Sequence, residues 1–319
     1  SSHMSTQGGT KAVVAALLAN VGIAITKFVA FFLTGASSML AEAIHSVADS
    51  GNQVLLLFGG RTAQRAPTAQ HPFGFGRERY VYAFIVSIVL FSVGGLFALY
   101  EAYHKLQHVL EHPGDMGDMA GRWWWVPLVV LVAAIVMESF SFHTAIQESN
   151  KVRGSASWVD FLRRAKSPEL PVILLEDFAA LTGLVFALFG VGLSLLTHNP
   201  IFDVMGTTLI GLLLVAVAVV LGVETKSLLL GESASIDAQE RIAEALRSSE
   251  GILGVIHMKT LHLGPEELLV AAKIDVSAAD SAADIARSID AAEASIRAAE
   301  PTARVIYLEP DLRRDPSQP

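Results

Sequence analysis

Six apolar stretches, each near or above the roughly 20 residues that a helix needs to cross hydrocarbon, dominate this 319-residue chain. They lie near 12–34, 38–59, 80–103, 124–147, 171–197 and 202–223. Lipid offers a backbone no hydrogen-bond partner, so such stretches must satisfy themselves as helices. With 52% hydrophobic and 17% charged residues and a mean hydropathy of +0.48, the chain is expected to be an integral membrane protein with six transmembrane helices and a soluble part. Arg61, Arg65, Arg77 and Arg79 lie between the second and third stretches, and Lys151, Arg153, Arg163, Arg164 and Lys166 between the fourth and fifth. By the positive-inside rule these loops are cytoplasmic, and with six spans so are both termini. The opposite connections are poor in Lys and Arg; the 104–122 loop has only Lys105 and Arg122, beside several acids.

The second stretch is interrupted by chemistry. Residues four apart on a helix stack on one face, so His45 and Asp49 converge, with Glu42 a turn earlier. In a soluble protein such a pair would more often be a capping or hydrogen-bonding arrangement. In a bilayer each ionisable group costs roughly 2.5 to 3.5 kcal/mol on insertion scales and marks an ion or proton pathway, so the pair reads as half of a divalent-metal site. The fifth stretch carries adjacent carboxylates, Glu176 and Asp177; neighbours on a helix diverge by about 100°, so one of the two is expected to face the cavity of His45. Glu138 in the fourth stretch and Lys27 in the first either neutralise each other between helices or serve proton or metal passage. Asp203 and Glu224, near the ends of the sixth, read as interfacial. His104, His108 and His112 form a four-residue ladder read as a solvated helix end, with low-affinity metal capture as the alternative.

The chain contains no cysteine, which excludes disulfides, thiolate zinc sites and thiol catalysis. No His-Glu-x-x-His motif is present, which argues against a metalloprotease, and a net charge of -8 without a basic stripe in the tail argues against nucleic-acid binding. The start Ser1-Ser2-His3-Met4 reads as a tag remnant, so His3 belongs to no site, and no signal peptide is expected before the first span.

From about Gly231 the pattern becomes that of a small α+β domain. Asp237-x-x-Glu240 resembles a capping pair before a helix with Ile242 and Leu246 on its apolar face. Strands are expected at 255–263 and 268–276, joined by Gly264-Pro265-Glu266. A second helix carries Ile285, Ile289, Ala292 and Ile296 and stops at Pro301, before a last strand at 304–308. The expected domains are a remnant and tail at 1–10, a six-helix membrane domain at 11–230, the cytoplasmic α+β domain at 231–312 and a tail at 313–319.

Several of these residues together resemble the cation diffusion facilitator family, and within it the zinc transporter 9 branch. They are Ala19-Asn20 and Lys27, the run from Thr34 through Glu42, His45 and Asp49, and the loop His71-Pro72-Phe73-Gly74-Phe75-Gly76-Arg77-Glu78-Arg79-Tyr80. Asn52-Gln53, Val172-Ile173-Leu174-Leu175-Glu176-Asp177 and Gly183 carry the branch. The resemblance implies a homodimeric secondary transporter rather than an enzyme. It would export divalent metal, zinc above all, in exchange for protons by alternating access, from a bacterial inner membrane or an organelle membrane. Zinc would be the transported substrate, with no organic cofactor, and the cytoplasmic domain would be metallochaperone-like. By position, His45, Asp49 and Asp177 are the implied ligands. Ile173 stands where the family places a further ligand, so Glu176, Glu138 or a water completes the set, with Glu176 favoured. The family places no ligand at Glu42. Thr68 and Phe75 replace ligands of a loop site, leaving only His71, and Ile306-Tyr307-Leu308-Glu309-Pro310-Asp311 lacks the histidines of a cytoplasmic site. His257 and His262, five apart on a strand, fall on opposite faces. The rival reading is a membrane-bound zinc sensor or scaffold that does not transport.

Overall fold

The computed structural model describes residues 4–314, with side chains from residue 17 onward. Most of the tag remnant and of the 313–319 tail lies outside the described residues. Two compact units form. One comprises Ser1–Gly59, Tyr82–Leu162 and Glu169–Glu224, and the other Gly60–Val81, Arg163–Pro168 and Thr225–Pro319.

The first unit is helical. Helix α1 runs Met4–Thr34 and α2 Ser37–Thr62. The break between them is Gly35 at φ 67°, a left-handed conformation suited to glycine, whose N–H closes the last turn onto the Phe31 carbonyl at 2.6 Å. A long third helix contains α3 (Glu78–Val89), a π-helical segment (Leu90–Leu96) and α4 (Phe97–Glu111). Helices α5 (Val126–Arg153), α6 (Trp158–Arg164), α7 (Glu169–Thr197) and α8 (Ile201–Leu230) follow. Pro127 in the first turn of α5 occupies a position where a missing N–H costs nothing.

Among the described residues, five helical stretches are both long and apolar enough to cross a membrane: Leu17–Thr34, Glu78–Glu111, Val126–Arg153, Glu169–Thr197 and Ile201–Leu230. At 26 residues α2, the other expected span, has the length but not the apolarity. It carries Glu42, His45, Asp49, Asn52 and Gln53, and it buries several of them. The core of the unit includes many small side chains, among them Ala30, Ala41, Ala83, Ala134, Ala179 and Ala187. Helices in lipid gain little from apolar burial alone and associate through such close contacts. Between α7 and α8 the backbones themselves meet: a Cβ on Gly190 would sit 2.9 Å from the Phe202 carbonyl oxygen and one on Gly206 2.9 Å from that of Phe186.

In the second unit, helix α9 (Ile236–Arg247), strands β1 (Gly254–Gly264) and β2 (Glu267–Asp275), helix α10 (Ala282–Ala299) and strand β3 (Val305–Asp311) follow the expected order. The sheet has the order β1-β2-β3, antiparallel between β1 and β2 and parallel between β2 and β3. Leu268, Val270, Ala272 and Ile274 alternate into a core shared with Ile242, Leu246, Ala292, Ile296, Ile306 and Leu308. The cap of α9 is Ser235, whose side chain accepts from the Ala238 N–H at 3.2 Å, rather than the expected Asp237 pair. Ser235, two residues before Asp237, reaches the otherwise free amide of the third helical residue directly. A capping box at Ser281 and Asp284 starts α10.

His257 is exposed and His262 buried, as their odd spacing on a strand requires. Burial holds the His262 imidazole below its ordinary range, with Lys166 adding to the effect. The Gly264 carbonyl, 3.1 Å from Nδ1, and Glu232 and Glu300 pull the other way. An unfolded chain takes up this proton near the ordinary value of 6.5, which the folded chain resists, so the contribution to stability is present above that pH and is lost as pH falls below it. In detergent, the Tm of the full chain should therefore fall between about pH 7 and 5, and His262→Gln should flatten part of that fall. Identical slopes in the two proteins would remove His262 as the source.

Candidate functional site

Helix α2 is held at two levels. At its start, Asp203 of α8 is fully buried and accepts hydrogen bonds from the backbone N–H of Ser37 (2.7 Å) and of Ser38 (3.4 Å), and from both serine hydroxyls. Asp203 lies near the end of its helix, as expected, but faces inward: its carboxylate caps α2, where free N–H groups and the positive end of the helix dipole favour an anion. One turn above the site, Lys27 of α1 is 4% exposed; its Nζ donates to Ser46 Oγ at 2.6 Å and lies 3.5 Å from Glu42 Oε2. The ion-pair partner of Lys27 is thus Glu42, not Glu138. Helical spacing alone cannot choose between acids on two different helices. The other oxygen, Glu42 Oε1, abuts α7 at Gly183, where a Cβ would approach it to 2.7 Å.

Below this pair, α1, α2, α5 and α7 enclose a cavity of about 50 Å³. Four carboxylates line it, Asp49, Glu138, Glu176 and Asp177, together with the amides of Asn20 and Gln53. Both members of the adjacent pair reach it, where the helical period predicted only one. Side chains from flanking helices draw them in: Asn52 of α2 donates Nδ2–H to Glu176 Oε1 at 3.0 Å, and Ser141 of α5 donates to Asp177 Oδ2 at 3.2 Å. Ile173, 41% exposed, takes no part.

His45 is not in the cavity wall. It is buried behind Asp49, its Nε2 3.3 Å from Asp49 Oδ2 in an ion-pair contact rather than an aligned hydrogen bond. His45 Nε2 and Asp49 Oδ1 are buried without a hydrogen-bond partner among the described residues, as are Glu42 Oε1 and Asn52 Oδ1. Buried polar atoms left unpaired are rare and point to a function for the site that holds them. Among the described residues, no three His, Asp or Glu side chains stand close enough to hold an ion as they are. The arrangement is an anionic chamber beside an imidazole, suited to a cation or to protons.

A search of the sequence confined to ionisable groups misses the amides and Ser141 as lining residues. Their signal was present: Gln53 extends the His45, Asp49 ladder by four, and Ser141 follows Glu138 by three. Elsewhere, His108 and His112 are exposed and stack ring on ring at 4.8 Å, and His104 lies 6.3 Å from Tyr100. His71 packs against Phe75 with its ring tilted by 41°, and Arg65 sits over the same phenyl ring at 4.1 Å.

A family model described as the cation efflux transmembrane domain matches residues 13–230. The chain is similar to the mitochondrial proton-coupled zinc antiporter SLC30A9 of Xenopus laevis, at 31% identity over 276 residues, covering 86% of this chain and 48% of that protein. It is also similar to metal tolerance protein C4 of Arabidopsis thaliana, at 28% identity over 275 residues, covering 86% and 58%. The chain thus spans about half the length of the curated relatives it matches. A solved C-terminal domain of MamM in a nickel form matches at 20% identity with a TM-score of 0.24, covering 25% of this chain and all of that one.

Because Asp203 satisfies four donors, Asp203→Ala should leave all but the Ser37 hydroxyl, which keeps Thr207 Oγ1 at 2.9 Å, buried and unpaired, at a cost of about 3 kcal/mol. The readout is a lower Tm in detergent, by several degrees or more. An unchanged Tm would show that the clasp does not hold α2.

Proposed function

The chain belongs to the cation efflux family, and from that premise we propose that it is a multi-pass secondary transporter that carries divalent metal, zinc foremost, across its membrane in exchange for protons. The observation that carries this reading is the convergence of Asp49, Glu138, Glu176 and Asp177 on one small cavity inside an apolar helix bundle, with His45 against Asp49. Four carboxylates at such a place cannot all stay ionised and unpaired, so the chamber is neutralised by protons or by a cation. The name of the Xenopus relative, a proton-coupled zinc antiporter, describes the same exchange.

In this reading His45, Asp49, Asp177 and Glu176 hold the ion as cargo, and Glu138 takes and releases protons at the cavity edge. Binding needs a neutral imidazole and ionised carboxylates, so the incoming ion displaces protons, and protons arriving from the other side expel the ion. A small turn of His45 toward the cavity would bring its unpartnered nitrogen onto the ion. Alternating access then presents the same groups to each side in turn. By the positive-inside rule the arginine-rich loop between α2 and α3 faces the cytoplasm, and protons entering on that side in exchange for metal make the direction export. The second unit, with its small core, serves as the contact between two copies of the chain.

In proteoliposomes with an imposed pH gradient, His45→Ala or Asp49→Ala should reduce zinc flux to the level of empty vesicles, and wild-type flux should move protons the opposite way. Normal flux in both variants would sink the assignment. Zinc binding without any flux in the wild type would favour the sensor or scaffold reading. Metal affinity should also weaken as pH falls, the slope of log Kd against pH counting the protons displaced.

A further inference from the structure

Asn52 is fully buried, and it spends its side-chain amide on a single contact, the donation to Glu176 Oε1 at 3.0 Å. Its own carbonyl oxygen is left without a hydrogen-bond partner among the described residues. An amide kept dry with half of its bonding unmet is better explained by what it does to Glu176 than by packing, for which an apolar side chain of the same size would serve. Glu176 is 7% exposed and lines the cavity, and the bond from Asn52 to Oε1 is the one hydrogen bond its carboxylate accepts among the described residues. One oxygen of this carboxylate is therefore occupied and one is left for the cavity.

We propose that Asn52 sets the metal preference of the site by holding one oxygen of Glu176 and so restricting that carboxylate to a single bond with the ion. The inference rests on the transport reading above and adds the basis of its selectivity. With Glu176 limited to one oxygen, His45, Asp49, Asp177 and Glu176 supply one donor each, four in all, the number that zinc takes in a tetrahedral site. Manganese(II), a harder ion, is served by more oxygen donors in an octahedral shell. A carboxylate free to chelate through both oxygens raises the donor count and moves the site toward such ions. Asn52 lies three residues after Asp49 on α2. One rigid helix therefore carries two of the ligands and the group that aims a third. Ile173, which supplies no donor, makes this control on Glu176 the more necessary. Asn52 is thus a positioning residue that acts through Glu176.

The test compares zinc and manganese transport, each metal alone, by the full chain in proteoliposomes. Asn52→Leu should lower the ratio of zinc to manganese kcat/KM at least tenfold, mainly by improving manganese. In a Glu176→Gln background the same substitution should leave the ratio where Glu176→Gln put it. General structural damage would depress both metals together, so an unchanged ratio, or an equal shift in both backgrounds, overturns the proposal. If Asn52→Leu does not fold, X-ray absorption on the zinc-loaded wild-type protein decides. Four nitrogen or oxygen neighbours are expected, and five or six would overturn the proposal. A wild-type protein that moves neither metal overturns the transport reading instead, and the neighbour count then judges the Asn52 assignment by itself.

Discussion

Lys27 reaches across from α1 to place its ammonium between Glu42 and Ser46 of α2, and this buried contact underlies the rest of the helical unit. A charge sealed among apolar helices is costly unless a partner meets it, and removing one member of such a pair leaves the other stranded. The pair therefore fixes α1 against α2 at one rotation and one height. Glu42 in turn presses on Gly183 of α7, so a third helix is registered by the same carboxylate. With Asp203 holding its first turn, α2, which carries Glu42, His45, Asp49, Asn52 and Gln53, is pinned at its start and again at Glu42.

What distinguishes the chamber beneath is that its charges are not met in the same way. Asp203 has donors on both oxygens and Glu42 has Lys27, but of Asp49, Glu138, Glu176 and Asp177, which share a small space, only Glu176 and Asp177 accept a hydrogen bond among the described residues, one each, and Asp49 has only the contact with His45. Repulsion among these four is the price of a site that must accept a doubly charged ion and release it again. Asn52 and Ser141 soften that repulsion without abolishing it, each meeting one oxygen of one carboxylate. The contrast between met and unmet charge separates scaffold from site within a single helix.

The second unit follows simpler rules. Period-two and period-3.6 patterns bury Val270, Ile274, Ile242 and Ile296 in one core, and serine caps start both helices. Its two strand histidines are divided between the inside and the outside of the sheet, and the imidazole that faces inward is committed to a backbone carbonyl.

The order of elements, the apolar helices, the alternating strands and the ionisable residues of the bundle were all legible in the linear chain, because periodicity and length are properties of neighbours in sequence. So was the ladder His45, Asp49, Gln53, which needs only the pitch of one helix. Which acid Lys27 would choose, that Asp203 would turn inward onto two serines, and that His45 would stand behind Asp49 rather than in the cavity were decided only by tertiary structure. Each depends on the rotation and height of one helix against another. The same holds for Glu176 and Asp177: their divergence of about 100° along α7 is local, but Asn52 and Ser141 on two other helices bend both into one chamber. Helix pitch determines which residues share a face, and only the packing of several helices determines what that face meets.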